Sequence, residues 1–246
     1  MNLEELGKKY KTRKVFHHYL PVYEKYFNPI REKVKKVLEL GILDGASLRM
    51  WEEYFPNAEI IGFDIKSSDV KGDRIHTFKG DVSERDDLYY LIEEYGGDYD
   101  IIVDDCGHWQ HQQQIAMGYL FRYIKPGGFF VMEDLTAGRD YKPYYLCPIV
   151  PVMTGNKDLN KTFKYEKIIH IWLGKYGVFS DMHNTTLKCI KDFIKEDMVN
   201  SVYMYDRESN YLEEHTEYMD LHEECIDKDD ADKGIICFIK KKDDLL

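Results

Sequence analysis

Two short stretches carry residues whose types and spacing suit chemistry. Tyr99-Asp100-Ile101-Ile102-Val103-Asp104-Asp105 reads as a buried strand ending in acids, with Cys106-Gly107-His108 just beyond it. Phe129-Phe130-Val131-Met132-Glu133-Asp134 reads as a second such strand. Neighbouring strands of a parallel sheet would bring Asp105, Glu133 and Asp134 to one rim. Three carboxylates gathered without Lys or Arg repel one another. A hard divalent cation such as Mg²⁺ relieves that, because it prefers oxygen ligands and keeps exchangeable waters. His108, three residues after Asp105, is close enough to share the site without necessarily ligating, and His111 on the same helical face is a second candidate base. Asp104 should point to the opposite side of its strand end, as a supporting or cofactor-side acid.

A second group reads as a nucleotide crevice. Val37-Leu38-Glu39-Leu40 is a short apolar run leading into Gly41-Ile42-Leu43-Asp44-Gly45, which gives E-x-G-x-x-x-G on a strand-to-helix turn. Asp64 closes the next strand, 25 residues after Glu39, where an acid can take both hydroxyls of a ribose. Asp81, in Lys79-Gly80-Asp81, follows the third strand and is placed to accept from an adenine amino group. A nicotinamide-dependent dehydrogenase would also show a strand, a Gly turn and a ribose acid. A pyrophosphate loop, however, wants G-x-G-x-x-G and a free helix N-terminus. Here Glu39 holds the first glycine position, where it would repel phosphate and suit a cationic ligand. The set Glu39, Gly41, Gly45, Asp64 and Asp81 resembles the class I S-adenosylmethionine-dependent methyltransferases, with Leu43 where many members have a middle glycine.

Residues 37–136 are more closely similar to the metal-dependent sugar O-methyltransferases of macrolide antibiotic biosynthesis, and to relatives known as rhamnosyl O-methyltransferases or cephalosporin hydroxylases. The family pattern is D-D-G-S-H after strand four and E-D after strand five. It is met here by Asp104-Asp105-Cys106-Gly107-His108 and Glu133-Asp134, with 29 residues from Asp105 to Asp134 and Leu48-Arg49-Met50-Trp51 in the first helix. The resemblance implies S-adenosylmethionine held at Glu39, Gly41, Gly45, Asp64, Asp81 and Asp104. It implies a divalent cation, expected to be Mg²⁺, on Asp105, Glu133 and Asp134, with His108 as general base. The implied acceptor is a hydroxyl of a sugar or sugar nucleotide. A non-sugar hydroxyl, nicotinamide chemistry and a non-catalytic adenosyl-ligand binder are the competing readings.

The elements that must position these residues alternate, strand then helix, every 20 to 30 residues from residue 37. That pattern predicts an α/β fold, a doubly wound, mostly parallel seven-stranded Rossmann-like sheet covered on both faces. Residues 1–36 are expected as a separate helical segment whose rings either pack on the main domain or form a lid. Residues 37–246 form the main domain, with a 175–233 insertion between the last two strands. Ile168–Trp172 and Gly234–Lys240 read as strands that could pair antiparallel at one edge. Thr185–Met198 reads as a helix and Asn200–Asp232 as acidic and irregular. Arg139, Tyr141, Tyr144 and Tyr145 are candidate acceptor contacts.

The 246-residue chain has 45 acidic and 34 basic side chains, a net charge of −11. Its acidity disfavours a nucleic-acid partner. The charge is uneven: residues 205–232 carry 12 acids against 2 bases, whereas residues 1–36 carry 10 bases against 4 acids. An oligomer contact between those two segments is one expectation. Five scattered cysteines form no Cys-x-x-Cys pair, which argues against a disulfide scaffold or thiolate zinc site. The absence of a signal core and of a run of about 18 apolar residues leads to the expectation of a cytoplasmic protein with no membrane partner.

Overall fold

Runs of five or six residues rich in Ile, Val, Leu and Phe, bounded by Gly or acidic turns, become strands buried on both faces. The computed structural model describes residues 1–135, 186–199, 201, 203–222 and 235–243. Its strands are β1 (Lys36–Leu40), β2 (Glu59–Asp64), β3 (Ile75–Lys79), β4 (Tyr99–Asp104), β5 (Ile124–Met132), β6 (Thr216–His222) and β7 (Ile236–Lys241). They join in one sheet in the order β3-β2-β1-β4-β5-β7-β6. The pairings from β3 through β5 are parallel, and β7 runs antiparallel to both β5 and β6. The winding reverses between β1 and β4, which opens a crevice beyond their carboxyl ends.

The alternation of strand residues sends two sets of side chains into two cores. Leu38, Leu40, Ile61, Phe63, Ile102, Phe130 and Met132 face one side. That side is covered by α4 (Arg85–Tyr95), α5 (Gln110–Leu120), α6 (Thr186–Glu196) and α7 (Asp206–His215). Val37, Ile60, Ile101, Val103, Phe129, Val131 and Phe238 face the other, under α1 (Leu3–Tyr10), α2 (Leu20–Phe27) and α3 (Ala46–Tyr54).

The N-terminal segment is built onto this second face. Asn2 and Glu5 form a capping box at the start of α1, and Leu3 and Leu6 turn their apolar side inward. Tyr19, Tyr23 and Phe27 are fully buried. The Tyr23 ring meets Trp51 and Phe238 edge-on, with centroids 5.2 and 5.4 Å away. The rings therefore pack on the main domain. A 3₁₀ turn between the helices, Arg13–Val15, reaches the crevice.

The C-terminal part differs from expectation: residues 200–232, read as irregular, hold both the helix α7 and the strand β6. The 175–233 segment thus contributes a strand to the sheet and is not a plain insertion between the last two strands. The partner of β7 is Thr216–His222, inside the acidic stretch read as irregular; the strand expected at Ile168–Trp172 lies outside the described residues, as do Arg139, Tyr141, Tyr144 and Tyr145. β6 is an edge strand whose sequence, Thr-Glu-Tyr-Met-Asp-Leu-His, is polar on its open side and so lacks the apolar run of a central strand. Part of the acidity is structural too. Glu208 of α7 is 1% exposed and takes both Arg85 Nε (2.9 Å) and Nη2 (2.7 Å), tying α7 to α4. Among the described residues no helix is long and apolar enough to cross a membrane.

Candidate functional site

The parity of the strands decides which acids meet. Glu39, Asp105 and Glu133 share the parity of Val37, Val103 and Val131, so all three turn toward the face that carries the N-terminal segment. Asp104 has the opposite parity and is fully buried on the other side. There it accepts from the Cys106 thiol (2.9 Å), and burial pushes its carboxyl above the usual range. The strand ends are laced together by Asp105 N to Leu40 O (2.9 Å), Glu133 N to Asp104 O (3.0 Å) and Gly41 N to Phe63 O (2.7 Å).

Asp134 does not follow the alternation. Its backbone is left-handed (φ 53), as is that of His108 (φ 56), a conformation that Asp and His adopt more readily than most residues. The turn brings the Asp134 carboxylate onto the shared rim. Its Oδ1 accepts from Tyr19 OH (2.6 Å) and its Oδ2 lies 3.4 Å from His108 Nε2. Asp105, His108 and Asp134 each present one ligand atom, all within 4.8 Å of one another and all half-buried. Two carboxylate oxygens and an imidazole nitrogen at that spacing fit a divalent cation.

Glu133, expected beside them, lines the same crevice and is partnered by the N-terminal segment. Its Oε1 accepts from Lys14 Nζ (2.6 Å) and Tyr23 OH (2.5 Å). The same ammonium lies 2.5 Å from Asp105 Oδ2 and 3.0 Å from Glu39 Oε1. The reading of three carboxylates without a basic partner is thereby corrected: the sheet supplies the acids and the N-terminal segment supplies a cation. Burial alone would lower the Lys14 pKa, but Asp105, Glu133 and Glu39 together raise it well above its usual value. Burial, reinforced by Asp105, holds the Glu133 carboxyl well above the ordinary range against the pull of Lys14. Glu39 is likewise raised by burial.

A crevice of about 370 Å³ opens beside the trio. It is lined by Gly41 to Asp44, by Asp64 and Asp81, and by Asp105, His108, Glu133 and Asp134, with Thr12, Lys14 and His17 on its N-terminal wall. Three expected residues do not line it. Glu39 is buried behind Lys14, Asp104 is on the far face, and Gly45 caps α3 against Val70. Gly41 (φ 97) is required, since a Cβ there would collide with the Asp105 carbonyl oxygen. Asp64 shapes the loop as well as lining the crevice: Oδ2 accepts from Ile42 N (2.8 Å) and Oδ1 from Lys66 N (2.9 Å). Asp81 accepts from Ser83 N (2.9 Å) and Oγ (2.6 Å). His111 is not among the residues that line the crevice; its ring packs near Trp109 and Tyr203, and burial lowers its pKa.

Leu43 occupies the middle-glycine position with a glycine-like backbone (φ 51) and a side chain 71% exposed. A left-handed Cβ costs about 1–2 kcal/mol. Leu43→Gly is therefore expected to raise unfolding free energy by about 0.5–1 kcal/mol after its added chain entropy. The denaturant midpoint at constant slope reads this, and a fall in midpoint would contradict the strain.

Lys14, Tyr19 and Tyr23 were missed as site residues. The only signal for them was the basic, aromatic composition of residues 1–36.

The fold matches a solved structure over nearly the whole chain. The mycinamycin-pathway methyltransferase MycE, in complex with Mg, SAH and mycinamycin VI, superposes with a TM-score of 0.69 at 23% identity, covering 99% of this chain and 55% of that one. The chain has the class I methyltransferase fold. Several curated relatives of this methyltransferase-fold chain are O-methyltransferases. The 8-demethyl-8-(2-methoxy-alpha-L-rhamnosyl)-tetracenomycin-C 3'-O-methyltransferase of Streptomyces olivaceus is 39% identical over 129 residues, 49% of this chain and 33% of that one. Mycinamicin VI 2''-O-methyltransferase of Micromonospora griseorubida is 35% identical over 144 residues, 54% of this chain and 36% of that one. The chain thus spans about a third of the length of these relatives. No family model matches it.

Proposed function

We propose that this chain transfers a methyl group from S-adenosylmethionine to a hydroxyl of a sugar or sugar nucleotide with the help of a divalent cation. One observation carries the reading: Asp105, His108 and Asp134 converge within 4.8 Å at the mouth of a crevice that also holds Asp64 and Asp81. The similarity to tetracenomycin and mycinamicin O-methyltransferases supports it, as does the Mg and SAH bound in MycE. When bound, a divalent cation, expected to be Mg²⁺, would supply Lewis acidity toward the acceptor hydroxyl, and S-adenosylmethionine would supply the electrophilic methyl.

The chain's own residues do the rest. Asp105, Glu133 and Asp134 would hold the cation, and Asp134 is itself oriented by Tyr19. His108 accepts the hydroxyl proton as the oxygen–carbon bond forms and the carbon–sulfur bond breaks. Asp64 takes the ribose hydroxyls and Asp81 the adenine amino group. Acids outnumber Lys and Arg among the residues lining the crevice, which suits a sulfonium.

Thermal unfolding with S-adenosylmethionine, NAD⁺ and Mg²⁺ tests the cofactor, and a methyl-transfer screen over sugar nucleotides and rhamnosides tests the acceptor. Stabilisation by NAD⁺ but not by S-adenosylmethionine would overturn the proposal. Asp64→Ala should weaken S-adenosylmethionine binding by roughly 10- to 100-fold, the value of charged hydrogen bonds. Calorimetry reads this, and an unchanged affinity removes the ribose assignment.

A further inference from the structure

The crevice is lined by charges of both signs, and the two signs come from different parts of the chain. Its acids, Asp44, Asp64, Asp81, Asp105, Glu133 and Asp134, lie at or just after the carboxyl ends of the parallel strands. Its lysines and arginine, Lys11, Arg13 and Lys14, lie where the chain leaves α1 and enters the 3₁₀ turn. Lys14 is held by Asp105, Glu133 and Glu39. Lys11 and Arg13 are exposed, and neither forms an ion pair with a described residue. Lys11 also has a left-handed backbone (φ 59) at the end of α1, a position that glycine or asparagine suits better. A long cation held there against its backbone preference, and unpaired, is available to an anion from outside the chain. This basic wall stands beside the cation end of the crevice. Lys14, next to Arg13, touches the acids after β4 and β5. His17 stacks on Tyr19 with centroids 5.5 Å apart, and the Tyr19 hydroxyl donates to Asp134. Asp64 ends β2 and Asp81 follows β3, on the other side of β1 in the sheet.

We propose that Lys11 and Arg13 form an anion subsite of the crevice, and that the acceptor is a nucleoside diphosphate sugar. Its two phosphates lie on the basic wall while a hydroxyl of its sugar enters the cation site. The inference rests on the methyl-transfer reading above and narrows its acceptor to the sugar nucleotide. The arginine fork can take one phosphate bidentately, and the lysine meets the other as a point charge. The rim acids repel phosphate, so charge alone orients such a ligand, with its sugar at the rim and its diphosphate on the exposed wall. A neutral glycoside would leave both cations unanswered and gain no such orientation.

Calorimetry on the full chain, saturated with S-adenosylhomocysteine and Mg²⁺, tests this with UDP, dTDP and GDP as probes. Glucose-1-phosphate serves as the single-phosphate probe and uridine as the uncharged control. Wild type is expected to bind the diphosphates more weakly as salt rises and to show no uridine binding. Glucose-1-phosphate should bind at least about tenfold more weakly than the diphosphates. The double variant Lys11→Gln, Arg13→Gln should lose roughly 10- to 100-fold in affinity for each diphosphate, with S-adenosylhomocysteine affinity within about twofold of wild type. Both side chains are exposed, so the substitutions spare the core. Diphosphates that do not bind wild type, or that bind the double variant equally well, overturn the proposal, and so does uridine binding as tight as that of UDP. Glucose-1-phosphate binding as tightly as UDP makes the acceptor a sugar phosphate and overturns the nucleotide assignment. A parallel loss of S-adenosylhomocysteine affinity in the double variant assigns Lys11 and Arg13 to the cofactor's carboxylate and overturns it too. Failure of wild type to bind S-adenosylhomocysteine sinks the methyl-transfer reading as well. Normal binding of S-adenosylhomocysteine without diphosphate binding sinks this inference alone.

Discussion

Asp134→Asn is expected to abolish cation-dependent methyl transfer while leaving the fold and S-adenosylmethionine affinity in place. Asparagine keeps the size of the side chain and tolerates the left-handed backbone at this position (φ 53). Its carbonyl oxygen can still accept from Tyr19 OH, which lies 2.6 Å from Oδ1 in the native chain. What it loses is the negative charge and the ligand oxygen facing Asp105 and His108. Lewis-acid activation contributes several kcal/mol, so turnover should fall roughly 10³-fold or more. Initial rates across a Mg²⁺ series, with and without a strong chelator, measure this. Wild-type turnover that is undiminished in chelator would remove the cation from the reaction.

His108 carries the second large effect. Substitution by asparagine again respects the backbone (φ 56) and deletes the proton acceptor. A positioned base is worth about 10²–10⁴-fold, so kcat should fall by that factor while S-adenosylmethionine affinity changes little. His108 Nε2 lies 3.4 Å from Asp134 Oδ2 and within the ligand cluster, so a Mn²⁺ titration of the same variant is decisive between two roles. Unchanged Mn²⁺ affinity with lost kcat marks a base, whereas a parallel loss of Mn²⁺ affinity marks a ligand. Near-wild-type kcat would leave proton removal to water, since His111 is not among the residues lining the crevice.

Both predictions rest on residues that were visible in the chain before any fold was known. Strand periodicity, Gly-bounded turns and acids at strand ends are local features. They were enough to give the parallel part of the sheet, the pairing of its fourth and fifth strands, and Asp64, Asp81, Asp105, His108 and Asp134 at the crevice. Glu39 and Glu133 were also visible, but their side chains serve the buried ion pairs with Lys14. β6 escaped because an edge strand needs an apolar pattern on one side only.

The chain by itself therefore determined which strands end in acids, because a two-residue repeat and a turn are written in neighbouring residues. Only the tertiary structure decided how those acids are partnered. Lys14 reaches Asp105 and Glu133 across 91 and 119 positions, and Tyr19 and Tyr23 reach across 115 and 110. Nothing in local periodicity encodes such pairs. They exist because the N-terminal segment buries its rings on the same sheet face to which strand parity sends Glu39, Asp105 and Glu133, and a lysine buried there must meet carboxylates.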